Sequence, residues 1–565
     1  MAVDVARRGL IRDRHGRIIA QNSPSYSVYL LRNKAEPLDR VVLHLAGILE
    51  RDVDAIHTRL RDAAVPSYEP VRVARHVPVE AVCRIEERNE LVPGTLLRYE
   101  TSRHYPSPAG GGHLLGYVTE ASGDEGDRVS PGSFVGLRGM ERYYDDDLRG
   151  QDGAIYLDVT AGGQVVGPAR DFHGRVPTPG VDLELTVDWA LQEFVADALA
   201  KRGTGSVICL QPETGEVLAL VNVPSFDPNI FSGTLTQEKW AEVSSDTTHP
   251  FLDRALRGLY PPGSTTKLIA AAAALERGLI TPASTFSPCL GGMQFGNRYF
   301  RCWKPSGHGT LNLTGALEQS CDVYFYQLSQ ILGVDHWAVA ARECGFGEPT
   351  GIDLPDEEGG LVPDSRYYDK RYGKRGWTWT LVLNLGIGQG EFLTTPMQIA
   401  QFFATFANDG RIIQPRVVRS YRMLNGNSVP TPVIIRGSLP YSRATITSLQ
   451  QGLRAVVAGE NGSGRVVSFP DLAVAGKTGT AQNPHGDNHS WFACYAPIDD
   501  PQIVVVALVE NGGHGSEVAA PLCGEVLRFY FDLPPLVVPV ATPQVAEQTE
   551  RDIRIDTLFR GRLVP

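Results

Sequence analysis

The sequence predicts an α+β protein, an antiparallel sheet flanked by helices and preceded by a β-rich region. Three observations carry this. Strand patterns at 181–187, 205–211 and 217–223 precede a long apolar helical pattern at 264–278. Further strand patterns follow at 466–478, 490–496 and 502–509. Strands, then helices, then strands indicate an antiparallel sheet with helices packed on it. Residues 1 to about 180 instead mix short strands with Gly- and Pro-rich turns. At 565 residues the chain is too long for one ordinary domain. A boundary is expected at Val176-Pro-Thr-Pro-Gly180, which gives units 1–178 and 179–535 and a tail 536–565.

The elements can be justified in order. The segment Arg8 to Asn22 reads as a hairpin, and Val41–Glu50 and Val79–Arg88 read as helices. Ser107–Gly112 and Ala121–Asp127 are loops, and Asp145-Asp-Asp147 is expected as a solvated loop. Val181–Val187 alternates as a strand, and Asp188 caps a helix from Trp189 to Lys201. Gly205–Gln211 and Val217–Val223 form a hairpin across the turn Pro212-Glu-Thr-Gly215. Leu313–Gln319 is helical, and the Pro/Val-rich run Pro534–Pro543 begins a tail. No internal repeat is found.

Composition narrows the function. The net charge of −11, without a long run of one sign, argues against nucleic acid as a partner. No run of 18 apolar residues predicts a membrane span, and the first residues lack the apolar core of a signal peptide. The chain has eight lysines against 45 arginines. Arginine stays protonated and cannot serve as a base. Two of the few lysines, Lys267 and Lys477, fall in the candidate site.

Three motifs build that site. Ser264-Thr-Thr-Lys267 follows Tyr260-Pro-Pro-Gly263 and opens the helical run. Positions i and i+3 share a helix face, so the lysine amine can reach the serine oxygen. A serine hydroxyl needs such a base to become a nucleophile. Ser320-Cys321-Asp322 follows the helix Leu313–Gln319 and brings a second hydroxyl that could relay a proton to a leaving amine. Lys477-Thr-Gly-Thr480 stands at the end of the apolar strand Leu472–Gly476. There Gly479 lets backbone approach a ligand, and Lys477, Thr478 and Thr480 could hold a carboxylate. The amides of Ser264 and Thr480 could form an oxyanion hole.

The three motifs in this order are the signature of penicillin-binding proteins and class A β-lactamases. Residues 1 to about 535 resemble a class B penicillin-binding protein, most closely the penicillin-binding protein 2 subfamily. Arg8–Arg17, Gly136–Tyr144, Pro224–Asn229, Gly386-Ile-Gly-Gln-Gly390, Thr395-Pro-Met-Gln398 and His489-Ser-Trp-Phe492 support the resemblance. It implies a serine β-lactamase/transpeptidase-like domain at 179–535 behind an elongated pedestal, a dimerisation-type interaction domain, at 1–178. Ser264 would attack the penultimate D-alanine of a peptidoglycan stem peptide, and Lys267 would take its proton. An amine from a neighbouring strand would resolve the acyl-enzyme, and β-lactams would trap Ser264. The resemblance further implies a membrane lipid II polymerase and an elongation-complex scaffold as partners. It also implies a periplasmic domain on a single-pass inner-membrane anchor, which this chain lacks. Asp322 stands where asparagine is commoner; ionised, it cannot donate a hydrogen bond, so a contact with Lys267 is expected. The alternatives are a D,D-carboxypeptidase or β-lactamase, and a non-catalytic β-lactam sensor. For a β-lactamase, Gly345–Asp364 offers Glu348, Glu357 and Glu358, in no arrangement that assigns a deacylating role.

Cys289, Cys302, His308 and Cys321 form a fourth cluster, spaced C-x12-C-x5-H-x12-C. Three thiolates and an imidazole make a closed, structural zinc set. A Cys289–Cys302 disulfide is the alternative. Relatives in the resembled subfamily carry zinc here through a mix of Asp, His and Cys, which implies Cys289 and Cys302 in place of aspartates. Cys83, Cys209, Cys344, Cys494 and Cys523 have no ligand-like spacing and are expected to be buried.

Overall fold

The computed structural model describes residues 2–534 apart from 64, 109, 122–132, 161–164, 170–173, 233–236, 375 and 485. The expected tail 536–565 and nearly all of the loop at 121–127 lie outside the described residues.

Alternation decides the central sheet. Along Ile503–Val509, the side chains of Val504, Val506 and Leu508 enter one core, and those of Ile503, Val505, Ala507 and Val509 enter another. A period of two requires this of a strand covered on both faces. It is the middle strand of an antiparallel five. The order is Val217–Val223, Gly205–Leu210, Ile503–Val509, His489–Ala496, Ala475–Ala481. Helices Trp189–Ala200 and Ala519–Tyr530 cover one face through Leu191, Val195, Leu522 and Val526. Helices Lys267–Glu276 and Pro396–Ala407 supply the other core with Leu268, Ile269, Phe402 and Phe403. The architecture is the α+β one that the sequence predicts.

Local chemistry sets the ends. Asp188 accepts from the amides of Ala190 and Leu191 and starts the Trp189–Ala200 helix. Thr395 and Gln398 form a capping box ahead of Pro396, the first residue of its helix.

The strand expected at 466–478 is displaced. Arg465–Val467 is a turn of 3-10 helix, and the strand runs Ala475–Ala481. Pro470 cannot donate to a ladder, whereas the β-branched Thr478 and Thr480 favour one. Lys477-Thr-Gly-Thr480 therefore lies inside a strand rather than at its end. This strand closes the sheet and leaves its outer side without a strand partner among the described residues.

The N-terminal region is built on the long strand Ile18–Leu31, paired antiparallel with Thr95–His104 and Pro70–Ala74. Helices Leu38–Leu49, Val53–Asp62 and Val79–Glu87 close a small core of Val28, Leu30, Leu45, Leu60 and Ile85. Ile11–Arg12 extends the sheet, followed by Asp182–Leu185, Val418–Arg422 and Ser428–Pro430. Two strands from beyond residue 410 thus complete a sheet begun by the first thirty residues, which stitches the two halves together.

Asp145–Asp147 is not a loop, although Asp146 and Asp147 are solvated as expected. It opens the short helix Asp145–Arg149, and Asp145 accepts from the Gly136 amide at 2.8 Å and pairs with Arg8 at 2.8 Å. Arg8 also pairs with the fully buried Glu141 at 2.7 Å, as does Arg103 at 2.6 Å. A buried carboxylate needs such partners, and two guanidinium groups supply them. One cysteine also departs from expectation. Cys209, Cys344, Cys494 and Cys523 are buried, but Cys83 is exposed. Its helix buries Ala81 and Ile85, and a residue two positions on faces away. No helix of the described residues is long and apolar enough to cross a membrane.

Candidate active site and metal centre

The turn that carries Ser264 is made by backbone packing. Gly263 has φ +57°, and its amide donates to the Gly388 carbonyl at 2.8 Å. A Cβ on Gly263 would stand 2.8 Å from the Thr480 carbonyl oxygen. Only glycine permits both the left-handed angle and this approach. The turn Gly263–Thr266 is 3-10, and the α-helix begins at Lys267. Ser264 is thereby held half-buried against the edge strand. It lines a cleft of about 560 Å³ with Ser320, Asp322, Thr478 and Thr480.

Lys267 is fully buried and spends its donors away from Ser264. Its Nζ donates to the Ser320 carbonyl at 2.8 Å, to Ser320 Oγ at 3.3 Å and to Asp322 Oδ1 at 2.8 Å. These three bonds saturate an ammonium group. Among the described residues, no hydrogen bond joins Lys267 to Ser264. The buried carboxylate of Asp322 is a stronger acceptor than a hydroxyl. Burial pushes the Asp322 carboxyl above its ordinary range, while Lys267 pulls it down.

Ser320 owes its place to a helix ending. The helix Leu313–Glu318 closes with the Ser320 amide on the Leu317 carbonyl at 3.1 Å and the Cys321 amide on the Ala316 carbonyl at 2.9 Å. This is a Schellman cap, whose left-handed position usually holds glycine. Here it holds Ser320, at φ +53°. Cys321 then takes the N-cap position of the next helix, Asp322–Leu332, without a side-chain capping bond. Retaining a hydroxyl in this conformation costs about 1 kcal/mol. Ser320→Gly relieves that strain but removes a bond to the buried Lys267 ammonium worth about 1.5–3 kcal/mol, so the thermal midpoint is expected to fall. It should also slow labelling of Ser264 by a fluorescent penicillin, by roughly a hundredfold if the hydroxyl relays protons. Melting curves and labelling rates check both halves.

The edge strand sorts its residues. Thr478 and Thr480 line the cleft, whereas Lys477 is fully buried behind it. The Lys477 amine donates to the Thr478 carbonyl at 3.2 Å. Burial, aided by repulsion from Lys267, holds its pKa well below that of an ordinary lysine. Gly479 packs against protein rather than ligand. A Cβ there would lie 2.8 Å from Thr265 Cγ2 and 2.9 Å from Trp491 Cβ.

Sequence reasoning missed several neighbours. Gln389 Nε2 donates to the Thr480 carbonyl at 3.0 Å, and Ser463 Oγ lies 2.8 Å from Thr478 Oγ1. Trp303, Tyr326 and Arg301 also line the cleft. The glycine-rich run 386–390 was the available signal for Gln389; nothing local marks the others.

Cys289, Cys302, His308 and Cys321 converge, with their ligand atoms all within 4.8 Å of one another. His308 Nδ1 is 3.5 Å from Cys289 Sγ and 3.5 Å from Cys302 Sγ. The thiols are free, so no Cys289–Cys302 disulfide is formed here. Hydrogen bonds with Cys321 and then His308 pull the Cys302 thiol far down, towards the thiolate a metal ligand must be. The cluster can hold one metal ion. It also adjoins the candidate catalytic residues. Cys321 precedes Asp322, and Trp303, which follows Cys302, donates its amide to Asp322 Oδ2 at 3.0 Å.

Comparison with known proteins finds matches along almost the whole chain. Residues 205–528 match the family described as penicillin binding protein transpeptidase domain, and residues 3–185 the one described as penicillin-binding protein dimerisation domain. The peptidoglycan D,D-transpeptidase MrdA of Haemophilus influenzae is 32% identical, over 93% of this chain and 84% of that protein. Penicillin-binding protein PBP2 of Helicobacter pylori, solved in complex with MreC, superposes with a TM-score of 0.83 at 28% identity, covering 94% of this chain and 99% of that one. A chain from a peptidoglycan synthase complex that coordinates polymerization and crosslinking gives 0.73 at 31% identity, over 95% and 92%.

Proposed function

Since the chain belongs to the class B penicillin-binding proteins of the PBP2 type, we propose that its cleft cross-links peptidoglycan stem peptides through an acyl-enzyme on Ser264. The protein is a serine-type peptidoglycan D,D-transpeptidase of cell elongation. The observation that carries the residue assignment is the convergence of Ser264, Ser320, Asp322, Thr478 and Thr480 on one cleft, with Lys267 bonded to Ser320 and Asp322 behind it.

The geometry supports the following course for the reaction. A stem peptide lies along the open side of Ala475–Ala481, as strand addition allows. Its terminal carboxylate meets the hydroxyls of Thr478 and Thr480. Ser264 Oγ attacks the carbonyl carbon of the penultimate D-alanine, and its proton passes to the lysine–serine pair. Lys267 can accept that proton only after yielding one of its own, and Asp322, with its raised pKa, is the adjacent acceptor. The Ser320 hydroxyl, bonded to Lys267, delivers a proton to the departing amine. The C–N bond breaks, D-alanine leaves, and the amine of a second stem peptide displaces the serine ester. The backbone amides of Ser264 and Thr480 would receive the oxyanion.

The cysteine–histidine set suits zinc. A tetrahedral zinc ion with bonds of about 2.3 Å to sulfur and about 2.0 Å to nitrogen spaces those ligands about 3.5 Å apart. Cys289 and Cys302 stand at that distance from His308. Four protein ligands leave no open position, so the ion would hold structure rather than react. Its effect would pass through Cys321 and Trp303 to Asp322.

Residues 1–178 act as the pedestal and 179–535 as the transpeptidase domain. Family likeness supports a periplasmic setting on the inner membrane, through a single membrane-spanning segment. It also supports docking to a lipid II polymerase and an elongation scaffold, given the relatives solved with MreC and in a synthase complex. The hydrolytic alternative lacks support. Glu357 is tied to Thr350 and Gly351, and the carboxylates lining the cleft among the described residues are those of Asp322 and Glu517. The test supplies donor and acceptor stem peptides and counts products. Cross-linked dimer exceeding hydrolysed monomer supports transpeptidation, and hydrolysis alone rejects it.

A further inference from the structure

One wall of the cleft carries a cation that the reaction does not use. Arg301 ends the strand Arg298–Arg301 and lines the cleft beside Trp303 and Tyr326. Among the described residues, its guanidinium makes no ion pair or hydrogen bond. Its backbone is nonetheless anchored, because the Tyr326 hydroxyl donates to the Arg301 carbonyl at 3.1 Å. Trp303 is fixed twice, by its amide on Asp322 Oδ2 at 3.0 Å and by its indole Nε1 on the Gln319 carbonyl at 3.0 Å. Yet Trp303 remains 54% exposed, while Trp189, Trp337 and Trp491 are fully buried. An anchored aromatic face and a guanidinium without a hydrogen-bond or ion-pair partner among the described residues thus line the same cleft, two positions apart in sequence.

That pairing fits a particular ligand chemistry. An aliphatic stem can lie on an indole, and a guanidinium fork binds a carboxylate through two parallel hydrogen bonds. The carboxylate in question is not the reacting terminus, which the strand side of the cleft holds through Thr478 and Thr480. The last two residues of the donor are alanines, with side chains too short to reach a wall. The residue before them is the first able to do so. We propose that Arg301 and Trp303 form a side-chain subsite selecting stem peptides whose third residue ends in a carboxylate. The proposal rests on the transpeptidase reading and names the substrate class of that same site.

The test uses the full chain and two synthetic donor peptides ending in D-Ala-D-Ala, with one common amine acceptor. They differ only at the third residue, meso-diaminopimelate (amine and carboxylate) in one and L-lysine (amine alone) in the other. The unmodified protein is expected to prefer the first by roughly tenfold in kcat/KM, the worth of a charge-assisted hydrogen bond. Arg301→Ala should bring the ratio close to one, through a higher KM for the diaminopimelate peptide. Arg301→Lys, which keeps the charge without the fork, should hold part of the preference. No preference in the unmodified protein overturns the subsite, and so does an Arg301→Ala loss shared equally by both peptides. Failure of penicillin to acylate Ser264 would instead bring down the transpeptidase reading beneath it.

Discussion

Alanine at position 264 is expected to abolish covalent capture of penicillin, a loss of roughly 10⁴-fold or more in acylation rate. The magnitude follows from removing a nucleophile outright. The identity of the nucleophile is the sharper question, because the cleft holds a rival. Ser320 Oγ is the hydroxyl that is hydrogen-bonded to Lys267, at 3.3 Å, and Ser264 has no such bond. Accessibility decides between them. Ser320 is 6% exposed, and its backbone is locked in the cap that ends the Leu313–Glu318 helix. Ser264 is half-buried at the mouth of the turn, beside the amide-bearing edge strand. An electrophile entering the cleft therefore meets Ser264 first, and Ser320 is placed to relay. Intact mass with a peptide map of the penicillin adduct checks this. An adduct on Ser320, or an undiminished adduct in Ser264→Ala, would reverse the roles.

Stripping the metal is expected to slow acylation of Ser264 by roughly tenfold to a hundredfold, the usual cost of losing support for a site's geometry. The route is short. Cys321 and Asp322 are consecutive, and the Trp303 amide that follows Cys302 holds Asp322 Oδ2. Release of the thiols frees both anchors of Asp322, and with it the acceptor of Lys267. The thermal midpoint should fall as well, since a closed site contributes its binding energy to the folded state alone. Cys321→Ser should reproduce both losses without chelator. The measurement is zinc content by mass spectrometry beside the labelling rate. Unchanged labelling in verified metal-free protein would show that the cluster and the active site are independent.

Much of this molecule is legible in its residues, for identifiable reasons. Period-two burial reveals the central strands because both faces are covered. Asp188 declares the start of its helix because a cap needs only local atoms. The strand at 466–478 was misplaced by its own apolar content. Phe469, Leu472 and Val474 pack into a core without belonging to the ladder. Of the triplet Asp145–Asp147, Asp146 and Asp147 face water as their charge suggests, whereas Asp145 is drawn inward by Arg8, far away in sequence, and by Arg149.

What the sequence determined by itself was the list of reactive groups and their order. Those are properties of residue types and short spacings, the hydroxyl and amine at 264 and 267 and the four candidate metal ligands among them. The contact of Asp322 with Lys267 was legible too, because an ionised carboxylate can only accept. The tertiary structure decided the other contacts: Lys267 turned from its own helix neighbour Ser264 to Ser320, Lys477 withdrew behind the wall, and Arg301 and Trp303 joined the cleft. The reason is physical. A buried charge goes to the strongest acceptor that packing brings within reach, and packing depends on contacts between residues tens to hundreds of positions apart.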